Sequence, residues 1–119
     1  MSDSSKNIYN KVLGRQGEQL TCKYLRKNGY KIVQTNYVTP FGEADIIAYK
    51  KGVYCFVEVK TRTSSEIAMP YEAVNERKRE RYRKMAWYFC NMLRQEVCCR
   101  FDVASICDGV LEYFEDAYS

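Results

Sequence analysis

The chain has no histidine, and nowhere in its 119 residues does an apolar run approach the ~20 residues that a membrane span requires. The first absence removes Ser-His-Asp triads, Cys-His pairs and imidazole-liganded metals. Any active site must therefore be made from carboxylates, lysine, tyrosine, cysteine or hydroxyls. Cysteine is present at positions 22, 55, 90, 98, 99 and 107, but no Cys-x-x-Cys occurs, so the spacing of a zinc site is missing as well. Cys22, Cys55 and Cys90 lie in apolar patterns, where a free thiol packs as a small hydrophobe. The adjacent Cys98 and Cys99 add an oxidation liability and no evident chemistry. The opening segment, MSDSSKNIYN, lacks the basic-then-apolar pattern of a signal peptide, so the expected location is the cytoplasm, with no membrane partner.

What is there fits an ordinary folded chain. Hydrophobic residues make up 46% and charged residues 29%, which predicts a single domain over residues 1–119. The net charge of +4 says little alone, but the stretch NERKRERYRK (75–84) concentrates six basic residues against two acidic ones. Residues ~8–28 read as a helix stopped by Asn28-Gly29. A first strand is expected over 30–37, a turn at Pro40-Phe41-Gly42, and a hairpin over 43–50 and 53–61. The polar stretch 62–70 reads as a loop, followed by a long helix from ~71 to ~94. Two strands over 97–107 and 110–118 are joined across Asp108-Gly109. The expected order is α-β-β-β-α-β-β.

The hairpin raises the chemical question. With Lys51-Gly52 as a two-residue type I′ turn, opposed residues on one face are Tyr49–Tyr54, Ile47–Phe56, Asp45–Glu58 and Glu43–Lys60. Two apolar rungs thus give way to paired carboxylates, which repel one another across a strand pair, and more so when water is withheld. Either this end projects into solvent as a charged strand end, or a positive group compensates it. A divalent cation with hard oxygen ligands, Mg²⁺ or Mn²⁺, suits the second case. Lys60 projects to the same side as Glu58 by strand alternation.

Asp45 followed by Glu58-Val59-Lys60 is similar to the acidic…acidic-x-Lys signature of restriction-endonuclease-like nucleases. The segments GRQGE (14–18), NGYKIVQTNY (28–37), GEADIIA (42–48), FVEVKTR (56–62) and PYEAVNERKRERYRKMAWYF (70–89) resemble the bacterial YraN family, itself distantly similar to archaeal Holliday junction resolvases. Ala44 stands where the wider superfamily often has proline. The resemblance implies an α/β, restriction-endonuclease-like fold, with a central mixed five-stranded sheet flanked by two main helices. It also implies a metal-dependent endonuclease acting on branched or structured DNA with little sequence preference.

On that reading Asp45, Glu58 and the Val59 carbonyl hold one Mg²⁺ (or Mn²⁺), and Lys60 assists the attacking water and steadies the developing charge. Glu18 matches a helix-borne glutamate of resolvase-like sites, with Gly14 and Gly17 nearby to permit a close backbone approach. Solvation on the helix surface is the plainer alternative for Glu18. The second helix carries an apolar stripe of Val74, Tyr82, Met85, Phe89 and Met92, widened by Trp87 and Tyr88. Lys78 falls on that stripe, where it either reaches a DNA oxygen or snorkels to solvent. Arg62, Arg77 and Arg81 are candidates to contact phosphates, although helix cations also serve solvated faces and pairs such as Glu76–Arg79 and Glu80–Lys84. Symmetric cutting of a junction would call for a homodimer. The rival reading is a non-catalytic nucleic-acid-binding module of the same fold, and a third is a protein-interaction domain.

Overall fold

Hydrophobic periodicity divides between two helices and a sheet whose faces alternate. The computed structural model describes residues 2–62 and 76–117, with side chains from residue 12. Its elements are α1 (Ser2–Lys27), β1 (Lys31–Thr39), β2 (Gly42–Lys50), β3 (Val53–Arg62), α2 (Glu76–Leu93), β4 (Cys98–Cys107) and β5 (Val110–Phe114). The expected element order is the observed one. The strands form one mixed sheet in sequence order: β1–β2, β2–β3 and β4–β5 are antiparallel, and β3–β4 is parallel. That parallel pair needs a crossover, and α2 lies within it.

Each turn follows its local sequence. Lys51 and Gly52 have φ of 48° and 85°, and Asp108 and Gly109 have 50° and 82°, the paired positive values that a type I′ hairpin needs. At the end of α1, Gly29 adopts φ 88° while Tyr30 N donates to Leu25 O at 2.9 Å and Gly29 N to Arg26 O at 3.1 Å. This is a Schellman cap, and its apolar pair, Leu25 and Tyr30, is buried in the core.

The core has two layers, one on each sheet face. Cys22, Leu25 and Tyr30 pack with Ile46, Ala48, Cys55, Val57 and Ala104 on the α1 side. Tyr82, Met85 and Phe89 pack with Ile47, Phe56 and Val103 on the α2 side. Neighbouring strand residues therefore go to opposite helices, as alternation requires.

Several boundaries and faces differ from expectation. α1 starts earlier than ~8, and β5 ends at Phe114 rather than 118, giving way to a turn over 115–117. The apolar stripe of α2 is narrower than its sequence suggests. Trp87 and Met92 are 61% and 66% exposed, because only one side of this helix meets the sheet. The expected loop beyond Arg62, the start of the second helix and Val74 lie outside the described residues. Among the described residues no helix is long and apolar enough to cross a membrane.

Candidate active site

The hairpin register runs as expected from Lys50–Val53 to Ile46–Val57, and there the pairing ends. The anticipated rungs Asp45–Glu58 and Glu43–Lys60 do not form. The reason is a side chain acting as backbone: Val59 N–H donates to Asp45 Oδ2 at 2.8 Å, taking the place of a ladder bond. The strands part at this point and the carboxyl occupies the gap.

Alternation breaks at the same level in two strands. Ala44 belongs to the α2-side core and Ile46 to the α1-side core, although residues two apart on a strand should share a face. On β1, Thr35 lines a hollow with Glu18 and Cys22 of α1, whereas Tyr37 meets Phe89 of α2 edge-on at 5.8 Å. Between them Asn36 has φ 52°, and the Asn36–Asp45 pair is missing from the register, which also shifts by one residue at Val33, nearer the start of β1. The paired irregularity turns Asp45 inward.

Asp45 is only half-buried, yet its carboxyl is pushed up to about 6, chiefly by burial. The Val59 N–H opposes the shift, while the negative charges of Glu18, Glu58 and Glu43 add to it. Carboxylates from α1, β2 and β3 thus surround one partly dry acid. Among the described residues no three carboxylate or thiol side chains converge closely enough to hold a metal by themselves. Any ion there would rest on a smaller protein share completed by carbonyl oxygen and water, the habit of Mg²⁺.

Two of these acids have polar neighbours from other elements. Asn36 Nδ2 reaches Glu18 Oε1 at 3.4 Å, a long bond that ties α1 to the irregular point of β1. The phenol of Tyr82, 5% exposed, lies within reach of Glu58, and burial followed by the Glu58 charge drives its pKa well upward. The contact of α1 with the sheet depends on Gly17. A Cβ there would overlap Thr61 Oγ1 and come within 3.2 Å of Val59 Cγ1 and 3.3 Å of Ile106 Cδ1. Gly14 has nothing within 4 Å and plays no such part, contrary to its expected role.

A family model described as "Uncharacterised protein family UPF0102" matches residues 17–106, a span that begins beside Glu18 and includes the whole acidic cluster. The chain belongs to this family. Similar UPF0102 proteins include one from Thermodesulfovibrio yellowstonii, 42% identical over 106 residues that cover 89% of this chain and 95% of the relative. Another, from Alkaliphilus metalliredigens, is 41% identical over 114 residues, 91% and 98% of the two chains.

The remaining candidates of the UPF0102 chain fall on the α2 side or beyond. Lys60 and Arg62 follow Glu58 along β3 at two-residue steps, hence on its face, and both are half-buried. Lys78 is half-exposed one helical turn before Tyr82, so it shares the side of α2 that reaches Glu58. Arg77 and Arg81 are exposed. Of the expected ion pairs, Glu76–Arg79 is present at 3.4 Å, but Glu80 turns to Arg83 at 3.2 Å rather than to Lys84.

Two residues of this region were not singled out from sequence. Tyr82 looked like core, which it also is, and Asn36 carried only the weak signal that asparagine tolerates positive φ. A second polar cluster was missed altogether. Asp102, 1% exposed on β4, accepts from Arg100 Nε and Nη2 at 2.9 Å each, from Tyr113 Oη at 2.6 Å and from Asp116 N at 2.9 Å.

Proposed function

We propose that this UPF0102 protein is a Mg²⁺- or Mn²⁺-dependent endonuclease of restriction-endonuclease-like type, hydrolysing phosphodiester bonds in branched or structured DNA. The observation that carries the reading is Asp45, a carboxyl lodged where two strands part and ringed by further carboxylates. A cluster of like charges that weakens the fold is explained if it serves a counter-ion. The donor set fits one: Asp45 and Glu58 would hold the ion with the Val59 carbonyl, and the Val59 N–H keeps one Asp45 oxygen in place. Such an ion supplies Lewis acidity toward a phosphoryl oxygen and lowers the pKa of water.

The chain's own residues do the rest. Tyr82, buried within reach of Glu58, would orient that carboxylate through its hydroxyl. Lys60, on the same face of β3 as Glu58, is placed to hold the attacking water and to stabilise charge building on phosphorus. Glu18, tethered by Asn36, orients water from the α1 side. Lys78 and Arg62 engage non-bridging oxygens. Recognition then rests on backbone and shape, which suits bent or branched DNA. Two such sites in a homodimer would cut a junction symmetrically.

The test is incubation with linear, flapped and four-way DNA in Mg²⁺, Mn²⁺ or EDTA, with Lys60→Ala beside wild type. Metal-dependent cleavage lost in the variant supports the proposal. Salt-sensitive binding without cleavage would favour the non-catalytic binding module instead.

A further inference from the structure

A groove separate from the acidic cluster opens between the β1–β2 turn and the first half of α2. Its cavity of about 300 Å³ is lined by Phe41, Arg77, Glu80, Arg81 and Lys84. Arg77, Arg81 and Lys84 recur at helical spacing of four and three residues and so form one stripe. The single acid does not balance them, because Glu80 Oε2 is turned to Arg83 Nη1 at 3.2 Å. The stripe is also held in place. A Cβ on Gly42 would approach Arg81 Cδ to 3.1 Å and Met85 Sδ to 3.3 Å, so the glycine lets the arginine stem lie on the turn. Lys84 Nζ stands 5.8 Å over the Phe41 ring, and Tyr88 meets that ring edge-on at 6.5 Å.

We infer that this groove is a clamp for the phosphodiester backbone of duplex DNA, set beside the cleavage site. The inference rests on the nuclease reading and deepens it. Three cations around one hollow match the charge of successive phosphates, and arginine presents the forked donors that phosphate accepts. Phe41 already carries Lys84 and Tyr88 against its ring, so it serves as the floor of a charged site and not as a platform for bases. Binding here is therefore independent of sequence. Distance relates the two sites. Gly42, against which the Arg81 stem lies, precedes Asp45 by three strand residues, about 10 Å, so the groove and the acidic cluster can meet neighbouring stretches of one backbone. The clamp thus grips the backbone near the bond that is cut.

Fluorescence anisotropy with labelled duplex and four-way DNA in EDTA, over a range of salt, measures the clamp apart from chemistry. The doubly substituted Arg77→Ala/Lys84→Ala protein should bind at least about tenfold more weakly, with a salt slope shallower by about two. A charge-matched control, Lys31→Ala/Lys51→Ala at the opposite end of β2, should bind like wild type. All four side chains are exposed, so circular dichroism should show unchanged folding. Equal weakening in both double variants, or none in the first, overturns the clamp and leaves the nuclease reading standing. No binding by wild type to either DNA overturns both.

Discussion

Asp102 and Asp45 are acids in neighbouring parts of one sheet, and their surroundings could hardly differ more. Asp102 has a bidentate guanidinium, a phenol and a backbone amide on its two oxygens. Arg100 is itself anchored by donating to Tyr30 Oη at 2.7 Å, which draws the helix cap into the network. Asp45 has one backbone N–H, and the strongest charges acting on it are all negative. A buried charge that is fully partnered is part of the architecture. One that is surrounded by its own sign costs stability and calls for an incoming partner. The contrast sets a structural acid apart from the one proposed to be functional, without reference to any motif.

The comparison can be broken or sharpened by substitution. The largest effect is expected on the satisfied side. Asp102→Ala strands Arg100 and Tyr113 behind the sheet and should cost about 3–5 kcal/mol, read as a shift of the urea midpoint. An unchanged midpoint would mean that the network is ornamental. Next, Lys60→Ala should lower metal-dependent cleavage at least about 10²-fold while leaving the melting temperature within a few degrees. Full activity in that variant would remove Lys60 from the site.

Gly17→Ala forces α1 away from Val59 and Thr61. It should cost about 1–3 kcal/mol and displace Glu18 from Asp45, so activity should fall with stability. Retained activity in a destabilised Gly17→Ala protein would show that Glu18 is not needed there.

The smallest effect is the most specific. The folded-state pKa of Asp45 is raised from 3.8 to about 6, so its protonated form contributes stability that is complete below about pH 4. That contribution is lost as pH rises through about 6. In EDTA, Asp45→Asn should therefore be more stable than wild type by on the order of 1 kcal/mol at pH 8, with the gain vanishing near pH 4. Wild type should recover the difference when Mg²⁺ is added, and the variant should not respond. A variant less stable than wild type at pH 8 would contradict the view of Asp45 as an under-compensated acid.

Much of the fold was legible because it is written locally. Asn28-Gly29, Lys51-Gly52 and Asp108-Gly109 each place glycine where positive φ is needed, and the hairpin register follows from the second of these. The faces of α2 were less legible: Trp87 and Met92 look apolar in sequence, but too little sheet lies beneath them to cover both. The candidate acids were visible as residue types at a spacing, yet their expected pairing was wrong in detail. Periodicity assumes an unbroken ladder, and here a side chain replaces one of its bonds.

By itself the sequence determined the element order, the turns, the family and the exclusion of histidine chemistry, since each depends on residue identity or short-range geometry. Only the tertiary structure decided that Asp45 sits in a gap between strands among acids from α1 and β3, that Tyr82 is buried within reach of the Glu58 charge, and that Asp102 is fully satisfied. Those facts depend on which distant groups share a low-dielectric space, and charge acquires its energetic meaning only there.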